Sequence, residues 1–171
     1  PLGFPIGAAW ADTEPTQSGA DFAPQGPSCG GAKIQTNDSR IQNVVWRNGR
    51  LWATHTVFLP STTPNRASVQ WWQVQTNATV SQRGLVDEPG ATRFYAFPSI
   101  AVNKNEDVLV GFSSFSASEP ASARYAFRLA TDPPNTLQVP SGLKAGEDCY
   151  DKDYSTGRTR WGDYSATVVD P

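Results

Sequence analysis

The chain has 171 residues, of which 38% are hydrophobic and 18% are charged, and its net charge at pH 7 is −2. This composition is typical of a folded globular domain rather than of a disordered chain. The small negative charge gives no general electrostatic attraction to nucleic acid or to an anionic membrane surface. No apolar run approaches the roughly 20 residues of a membrane-spanning helix, so neither a nucleic-acid partner nor a membrane span is predicted.

The first 39 residues are rich in glycine, proline and small polar residues, and they show no sustained period of two or of 3.6. Such a stretch is typical of irregular structure. Residues 1–39 are therefore interpreted as an irregular lead-in to a domain over residues 40–171. The chain contains no methionine, not even at position 1, which we interpret as the mark of a mature or trimmed product.

Two cysteines, Cys29 and Cys149, stand 120 positions apart. This separation differs from the short spacing of a redox or zinc-binding CxxC pair. Isolated cysteines in a chain rich in glycine, proline and small polar residues favour one disulfide in an exported protein, with two unpaired thiols as the alternative. We therefore expect an extracellular or periplasmic location.

From residue 41 onwards apolar and polar residues alternate, which is typical of β-strands. Asn48-Gly49 is the residue pair that a tight hairpin turn prefers, and the prolines at both ends of residues 60–64 interrupt the pattern. Four strands are predicted, at Ile41–Arg47, Arg50–Phe58, Ser68–Gln75 and Thr79–Val86. Together they predict an antiparallel meander over residues 41–86.

The same pattern recurs after residue 97. Asn48 and Asn105 correspond at an offset of 57 residues, and Ser68 and Ser122 correspond at an offset of 54. Three strands are predicted in this second unit, at Phe97–Val102, Asp107–Phe115 and Ser122–Ala130. The near-constant offset indicates an internal repeat of a whole meander.

A four-stranded meander that repeats is typical of a β-propeller blade, because neighbouring blades cover the apolar faces that one sheet cannot bury alone. The sequence predicts an all-β, propeller-like fold with blade-like units over residues 41–86 and 97–147. A third unit is predicted to start at residue 163, since Tyr164–Asp170 matches the first strand of the second unit at an offset of 67 residues. Propellers need at least about four blades to close, so this would be a partial propeller, a segment of a longer one. The alternative is a β-sandwich, which also alternates short strands.

The chain resembles a group of exported bacterial β-propeller proteins of unassigned activity, similar in fold to the sialidase superfamily, in three stretches, Phe97–Asn103, Gly111–Ser116 and Arg160–Ser165. The likeness covers roughly residues 40–171. It implies an arginine cluster that holds a substrate carboxylate, a tyrosine–glutamate nucleophile pair and an aspartic acid, all near the propeller axis.

Several residues lie near the starts of the innermost strands, where the resemblance would put such groups. The candidate catalytic residues are Arg160, Asp163 and Tyr164, and the candidate ligand-binding residues are Trp161, Arg93 and Arg40. Trp161 stands in a glycine-flanked loop and is expected to be an exposed platform for a sugar ring. The alternative for Arg160 and Asp163 is an ion pair that ties the inter-blade connection to the inner strand. For the tryptophans as a set, the alternative is packing in the core.

The acidic run Glu147–Asp153 offers several carboxylates on one loop, which suits calcium. The candidate ligands are Asp148, Asp151 and Asp153. The run lacks the Asp-x-Asp-x-Asp-Gly order of a dedicated calcium loop, so a solvated loop is the favoured interpretation and no other metal or cofactor is predicted. The only histidine, His55, is expected to pack in the core or between blades.

These observations favour a segment of an exported, sialidase-like propeller that acts in extracellular binding or scaffolding, with carbohydrate as the ligand. One alternative is a sialidase-like glycoside hydrolase whose active site is shared among blades. Another is a structural module that assembles through open β edges, either with itself or with the rest of a longer propeller.

Overall fold

The computed structural model of the chain describes residues 21–152 and 158–170. The described residues form three antiparallel sheets, none of which closes on itself. They contain no α-helix, and the one helical element among them is a 3₁₀ turn at Pro27–Cys29. The all-β fold class predicted from the sequence is therefore confirmed.

A small sheet precedes two larger ones along the chain, and it pairs β1 (Ala23–Pro24) with β2 (Lys33–Ile34). The first meander contains, in spatial order, β3 (Ile41–Arg47), β4 (Arg50–Leu59), β5 (Arg66–Gln75) and β6 (Val80–Val86). The second meander contains, in spatial order, β7 (Arg93–Val102), β8 (Val108–Ser116), β9 (Glu119–Arg128) and β10 (Ser141–Lys144). Each strand of a meander pairs with its neighbour in the chain, which is the up-and-down order that the sequence predicts.

The hairpin between β3 and β4 forms at the predicted turn. Asn48 and Gly49 have φ angles of 50° and 73°, the positive values that a two-residue type I′ turn requires. The turn places Val45 opposite Trp52. Because side chains alternate along a strand, Trp52 enters the core while its neighbour Leu51 faces the other side of the sheet.

The two meanders stack face to face, and β7 lies across β3, β4 and β5. The first meander meets the second through its front face, which carries Trp52 and Trp71; the rings of these two residues stack with centroids 6.3 Å apart. The second meander contributes its rear face, which carries Ile100, Val108 and Val110, to the same buried cluster. This apolar interface between two sheets is the larger part of the core.

A second buried cluster involves the described part of the lead-in. Phe22 packs edge-on against Phe58 and Phe94, with ring centroids 5.9 and 4.9 Å away, and Ile34 is fully buried in the same cluster. Residues 21–39 are mostly irregular, and they complete the core at one end of the stack. Burial of these apolar side chains stabilises the fold by about 2 kcal/mol for each large residue.

The strand predicted over Tyr164–Asp170 is not present in the structure. A strand is defined by a hydrogen-bonded ladder, and no backbone–backbone hydrogen bond joins residues 164–170 to another described residue. Side chains hold the segment against the second meander instead. Ser165 Oγ donates to the carbonyl of Phe97 at 2.7 Å, and Thr167 Oγ1 lies 2.7 Å from Ser99 Oγ.

Candidate functional site

A polar cleft lies where the lead-in enters β3 and the chain returns after residue 160. Its volume is about 100 Å³. The residues that line it are Asn37, Asp38, Arg40, Ile41, Gln42, Asp163 and Tyr164. Three residues predicted from the sequence as functional, Arg40, Asp163 and Tyr164, therefore meet in one place.

Backbone and side-chain contacts bring the two stretches together. Gln35 and Arg160 form an isolated parallel bridge, and the amide of Asn37 donates to the carbonyl of Gly162 at 3.2 Å. The amide of Gln42 donates to the carbonyl of Asp163 at 3.2 Å. These contacts satisfy carbonyls that no strand ladder uses, and they fix Asp163 beside the start of β3.

Arg40 and Asp38 form a forked ion pair on one side of the cleft. The Arg40 Nε lies 2.8 Å from Oδ1 and 2.9 Å from Oδ2 of Asp38, and its backbone N–H donates to the same carboxylate at 3.0 Å. The hydrogen bond from the Arg40 side chain holds the pKa of Asp38 below its ordinary value. Asp38 is therefore a carboxylate, an acceptor of hydrogen bonds, throughout the neutral range.

A second ion pair joins Arg160 to Asp163 on the other side. The same Asp163 oxygen accepts a bond of 3.3 Å from the amide of Asn37. The ion pair suggested by the sequence is thus present, and it borders the cleft. Tyr164 follows directly, with 74% of its surface exposed, so the aromatic ring is accessible at the cleft edge.

Arg93 lies outside the lining of this cleft. It begins β7 and pairs with Glu119 at the start of β9, and Arg124 reaches the same carboxylate at 3.3 Å. Burial would raise the pKa of Glu119, but the hydrogen bond and charge of Arg93, with those of Arg124, outweigh it and lower the pKa. Arg93 is therefore engaged in an ion triad between two strands.

Trp161 is not the exposed platform that its glycine-flanked position suggests. It is partly buried and packs against the second core cluster. Its indole N–H donates to Ser113 Oγ at 3.0 Å, and its ring meets those of Phe115 and Tyr150 edge-on, with centroids 6.1 and 5.0 Å away. The side chain anchors the 160–164 segment to the second meander, which is a positioning role for the cleft.

The acidic run does not form a cation site in the part of the chain that the structure describes. Asp148 accepts the backbone N–H of Cys149 at 2.7 Å, and Asp151 accepts the hydroxyl of Thr159 at 3.3 Å. No group of three or more histidine, cysteine, aspartate or glutamate side chains among the described residues could hold a metal ion. Asp153 lies outside the described residues.

The predicted cysteine pair is joined in the structure. The sulfur atoms of Cys29 and Cys149 lie 2.20 Å apart and the Cα atoms 5.2 Å apart, a separation that a disulfide spans without backbone movement. The bond links the lead-in to the loop that follows β10. A disulfide is consistent with an extracellular protein.

Three lining residues were not predicted from the sequence, namely Asn37, Asp38 and Gln42. Asp38 could have been found from its local pattern, because an aspartate two residues before an arginine in a loop can pair with it. Asn37 and Gln42 carry no such signal, since each side-chain amide donates a hydrogen bond to a backbone carbonyl more than 120 positions away in the chain.

No protein-family model, curated protein or solved structure matches the chain. Within residues 21–152 and 158–170, no helix has the length and apolar character needed to cross a membrane.

Proposed function

We propose that this chain is a segment of an exported, sialidase-like β-propeller that acts in extracellular binding or scaffolding, with carbohydrate as the ligand. The observation that carries the proposal is the meeting of Arg40, Asp163 and Tyr164 in one polar cleft. These residues come from distant parts of the chain, and the fold places their polar groups and an aromatic ring side by side.

The propeller part of the proposal is supported by contacts at equivalent acceptor positions of the two meanders, although the donors differ. The backbone N–H of Phe97 in β7 donates to Thr56 Oγ1 on the front face of the first meander. Ser113 is the equivalent of Thr56 at the offset of 57, and it accepts the indole N–H of Trp161. The 161–170 segment thus begins to cover the second meander as β7 covers the first, which is the arrangement that radially repeated blades need.

The carbohydrate part rests on the chemistry of the cleft. Sugar hydroxyls both donate and accept hydrogen bonds, and the two carboxylate–guanidinium pairs, Asp38–Arg40 and Asp163–Arg160, offer both kinds of partner in fixed geometry. The exposed ring of Tyr164 provides a flat apolar surface beside them. The cleft is small beside the roughly 300–1,000 Å³ of pockets that enclose a ligand, so it suits the edge of one sugar ring that projects from a longer glycan.

The state of Asp38 suits this carboxylate to accept hydrogen bonds from a ligand and not to act as a catalytic acid. A glycoside hydrolase needs one carboxylic acid that still holds its proton near neutral pH, usually through a raised pKa. The pKa of Asp38 is instead lowered by the hydrogen bond from Arg40. A carboxylate that stays ionised can accept hydrogen bonds from hydroxyls but cannot protonate a leaving group.

The test is glycan-array binding followed by titration of the best glycan, with turnover of a fluorogenic sialoside measured in parallel. Tyr164→Ala removes the aromatic surface and Asp163→Asn weakens the ion pair, and each should reduce affinity about tenfold or more. Trp46→Ala is the matched control, because Trp46 is an exposed aromatic residue on the rear face of the first meander and does not line the cleft.

Binding that is lost in the Tyr164 variant and kept in the Trp46 variant would support the proposal. Loss of glycan binding in the Trp46 variant alone would show that the ligand binds another surface, and it would refute the cleft as the site. Sialoside turnover that disappears in the Asp163 variant would replace the binding function with glycoside hydrolysis.

A further inference from the structure

The front face of the second meander carries an apolar groove that its strands leave uncovered. The groove has a volume of about 340 Å³ and is lined by Leu109 and Phe127 on one side and by Val168 and Val169 on the other. Leu109 and Phe127 are neighbours across β8 and β9 and are each 37% exposed. Large apolar side chains grouped in this way mark an interaction surface more often than scattered ones do.

The first meander shows how such a face is covered. Leu109 is the equivalent of Trp52 at the offset of 57, and Trp52 is fully buried. The cluster that buries Trp52 includes Val108 and Val110 of β8, the strand that pairs with β7. The first meander is therefore covered mainly by β7, and Val108 and Val110 of the neighbouring β8 belong to the same buried cluster as Trp52.

Over the second meander, the 164–170 segment lies where the first of these two strands would be, although it is not itself a strand. Thr167 lies over Gly111 so closely that its Oγ1 is 2.7 Å from where a Cβ at that glycine would stand. Gly111 is the equivalent of Thr54 on the front face of the first meander. The 164–170 segment thus occupies the place of β7, and its backbone makes no ladder to another described residue.

We propose that this groove binds an extended peptide strand by β-strand addition, in which the peptide pairs antiparallel with the backbone of residues 164–170. Main-chain hydrogen bonds to a free strand edge give affinity in this mode, and pockets for alternate side chains give specificity. The partner is a polypeptide segment whose alternate residues are β-branched and apolar. The inference rests on the propeller-like repeat proposed above and is independent of the carbohydrate cleft.

The internal repeat also gives the register. In the second meander Val108 lies opposite Val102, and Val110 lies opposite Ile100. At the offset of 67, Val169 takes the place of Val102 and Thr167 that of Ile100. A bound strand of sequence Val-Leu-Val should therefore set its first valine opposite Val169 and its second opposite Thr167, with both side chains directed into the groove.

The probe is a labelled peptide with the sequence of residues 107–115, Asp-Val-Leu-Val-Gly-Phe-Ser-Ser-Phe, flanked by lysines for solubility. Its binding to the whole chain is followed by fluorescence anisotropy. The control peptide carries Val108→Asp and Val110→Asp. In the protein, Leu109→Glu places a charge in the groove. Val169→Glu places a charge in the same groove, and because Val169 is not part of a strand, this substitution leaves the sheets intact. Val44→Glu places the same charge on an exposed apolar residue of the opposite face of the stack.

Saturable binding that falls about tenfold or more with the control peptide and with Leu109→Glu or Val169→Glu, but not with Val44→Glu, is the expected result. Circular dichroism checks that the variants fold. Absence of binding, or equal losses in the Val44 variant, would overturn the proposal. So would an oligomer that sediments as one species and dissociates in the Leu109 variant, because a second copy of the chain would then cover the groove.

Discussion

The indole N–H of Trp72 donates a hydrogen bond to Nε2 of His55 at 3.0 Å, so this nitrogen of the buried imidazole carries no proton. Nδ1 then carries it and donates to the carbonyl of Ser39 at 2.8 Å. Burial lowers the pKa of His55, and the bond to Ser39 opposes this effect only in part. A second proton would have to displace the Trp72 bond, so the fold stabilises neutral His55.

The free energy of unfolding should therefore fall as the pH is lowered below about 6.5. The unfolded chain binds a proton at the ordinary histidine pKa of 6.5, whereas the folded chain resists it until a lower pH. The contribution of neutral His55 to the free energy of unfolding is complete above pH 6.5. It decreases as the pH is lowered further, with a slope of up to about 1.4 kcal/mol per pH unit. Denaturant unfolding between pH 5 and 7.5 measures it.

The matched control is His55→Gln, since His55 is the only histidine in the chain. Its stability should show no slope between pH 5 and 6.5, where few carboxylates titrate. An equal slope in this variant would assign the effect to other groups.

A buried ion pair joins the ends of β5 and β6. Arg66 donates to both oxygens of Asp87 at 2.7 and 2.8 Å, and Ser68 donates to the same carboxylate. The two charged side chains are only 13% and 14% exposed. Burial would raise the pKa of Asp87, but the bonds from Arg66 and Ser68 outweigh it and hold the pKa below 3.8.

Asp87→Asn should reduce the free energy of unfolding by about 3 kcal/mol, because it leaves the Arg66 charge buried without its partner. In the wild type the contribution is present above the ordinary aspartate pKa and is lost as the pH falls below it. Glu147→Gln is the control: it removes the exposed pair with Lys144 and should change stability little. Similar losses in both variants would contradict the special role of the buried pair.

The strands could be predicted because their signals are local. Alternation along β4 and the Asn48-Gly49 turn fix a hairpin within a few residues, and the repeat offsets place β7 to β9. Phe22 and Ile34 gave no such signal, since they sit in irregular backbone and their burial depends on Phe58 and Phe94.

In the candidate site, too, local features could be predicted from the sequence and long-range packing could not. Arg40, Asp163 and Tyr164 could be named from their positions beside predicted strands, but their meeting in one cleft depends on how the chain packs after residue 158. The prediction that Trp161 is exposed was wrong, because flanking glycines indicate only local backbone freedom. The burial of Trp161 follows from a contact with Ser113, 48 positions away.

Gly84 in β6 is required by the core tryptophan beside it. A Cβ at this position would stand 2.3 Å from Nε1 of Trp71 and 2.9 Å from the carbonyl of Asn135. Trp71 is fully buried, so its ring cannot move aside without displacing other core side chains. Gly84→Ala should therefore lower the free energy of unfolding by roughly 1–3 kcal/mol through overpacking, as measured by denaturant titration.

Gly142→Ala provides the comparison, because a Cβ there would meet nothing within 4 Å. This variant should unfold at nearly the wild-type denaturant concentration. If Gly84→Ala did so as well, Trp71 would not be packed against β6 as described.

The disulfide between Cys29 and Cys149 closes a loop of 120 residues that contains both meanders. Cross-linking so long a segment restricts the unfolded chain, and its loss typically costs about 2–5 kcal/mol. Dithiothreitol should therefore lower the unfolding midpoint of the wild-type protein, and the Cys29→Ala/Cys149→Ala variant should start from the lowered midpoint and not respond to the reductant. Intact-mass analysis after alkylation should find no reactive thiol before reduction and two after it. Two reactive thiols in the untreated protein, or a reductant effect that persists in the double variant, would contradict the prediction, because Cys29 and Cys149 are the only two cysteines in the chain.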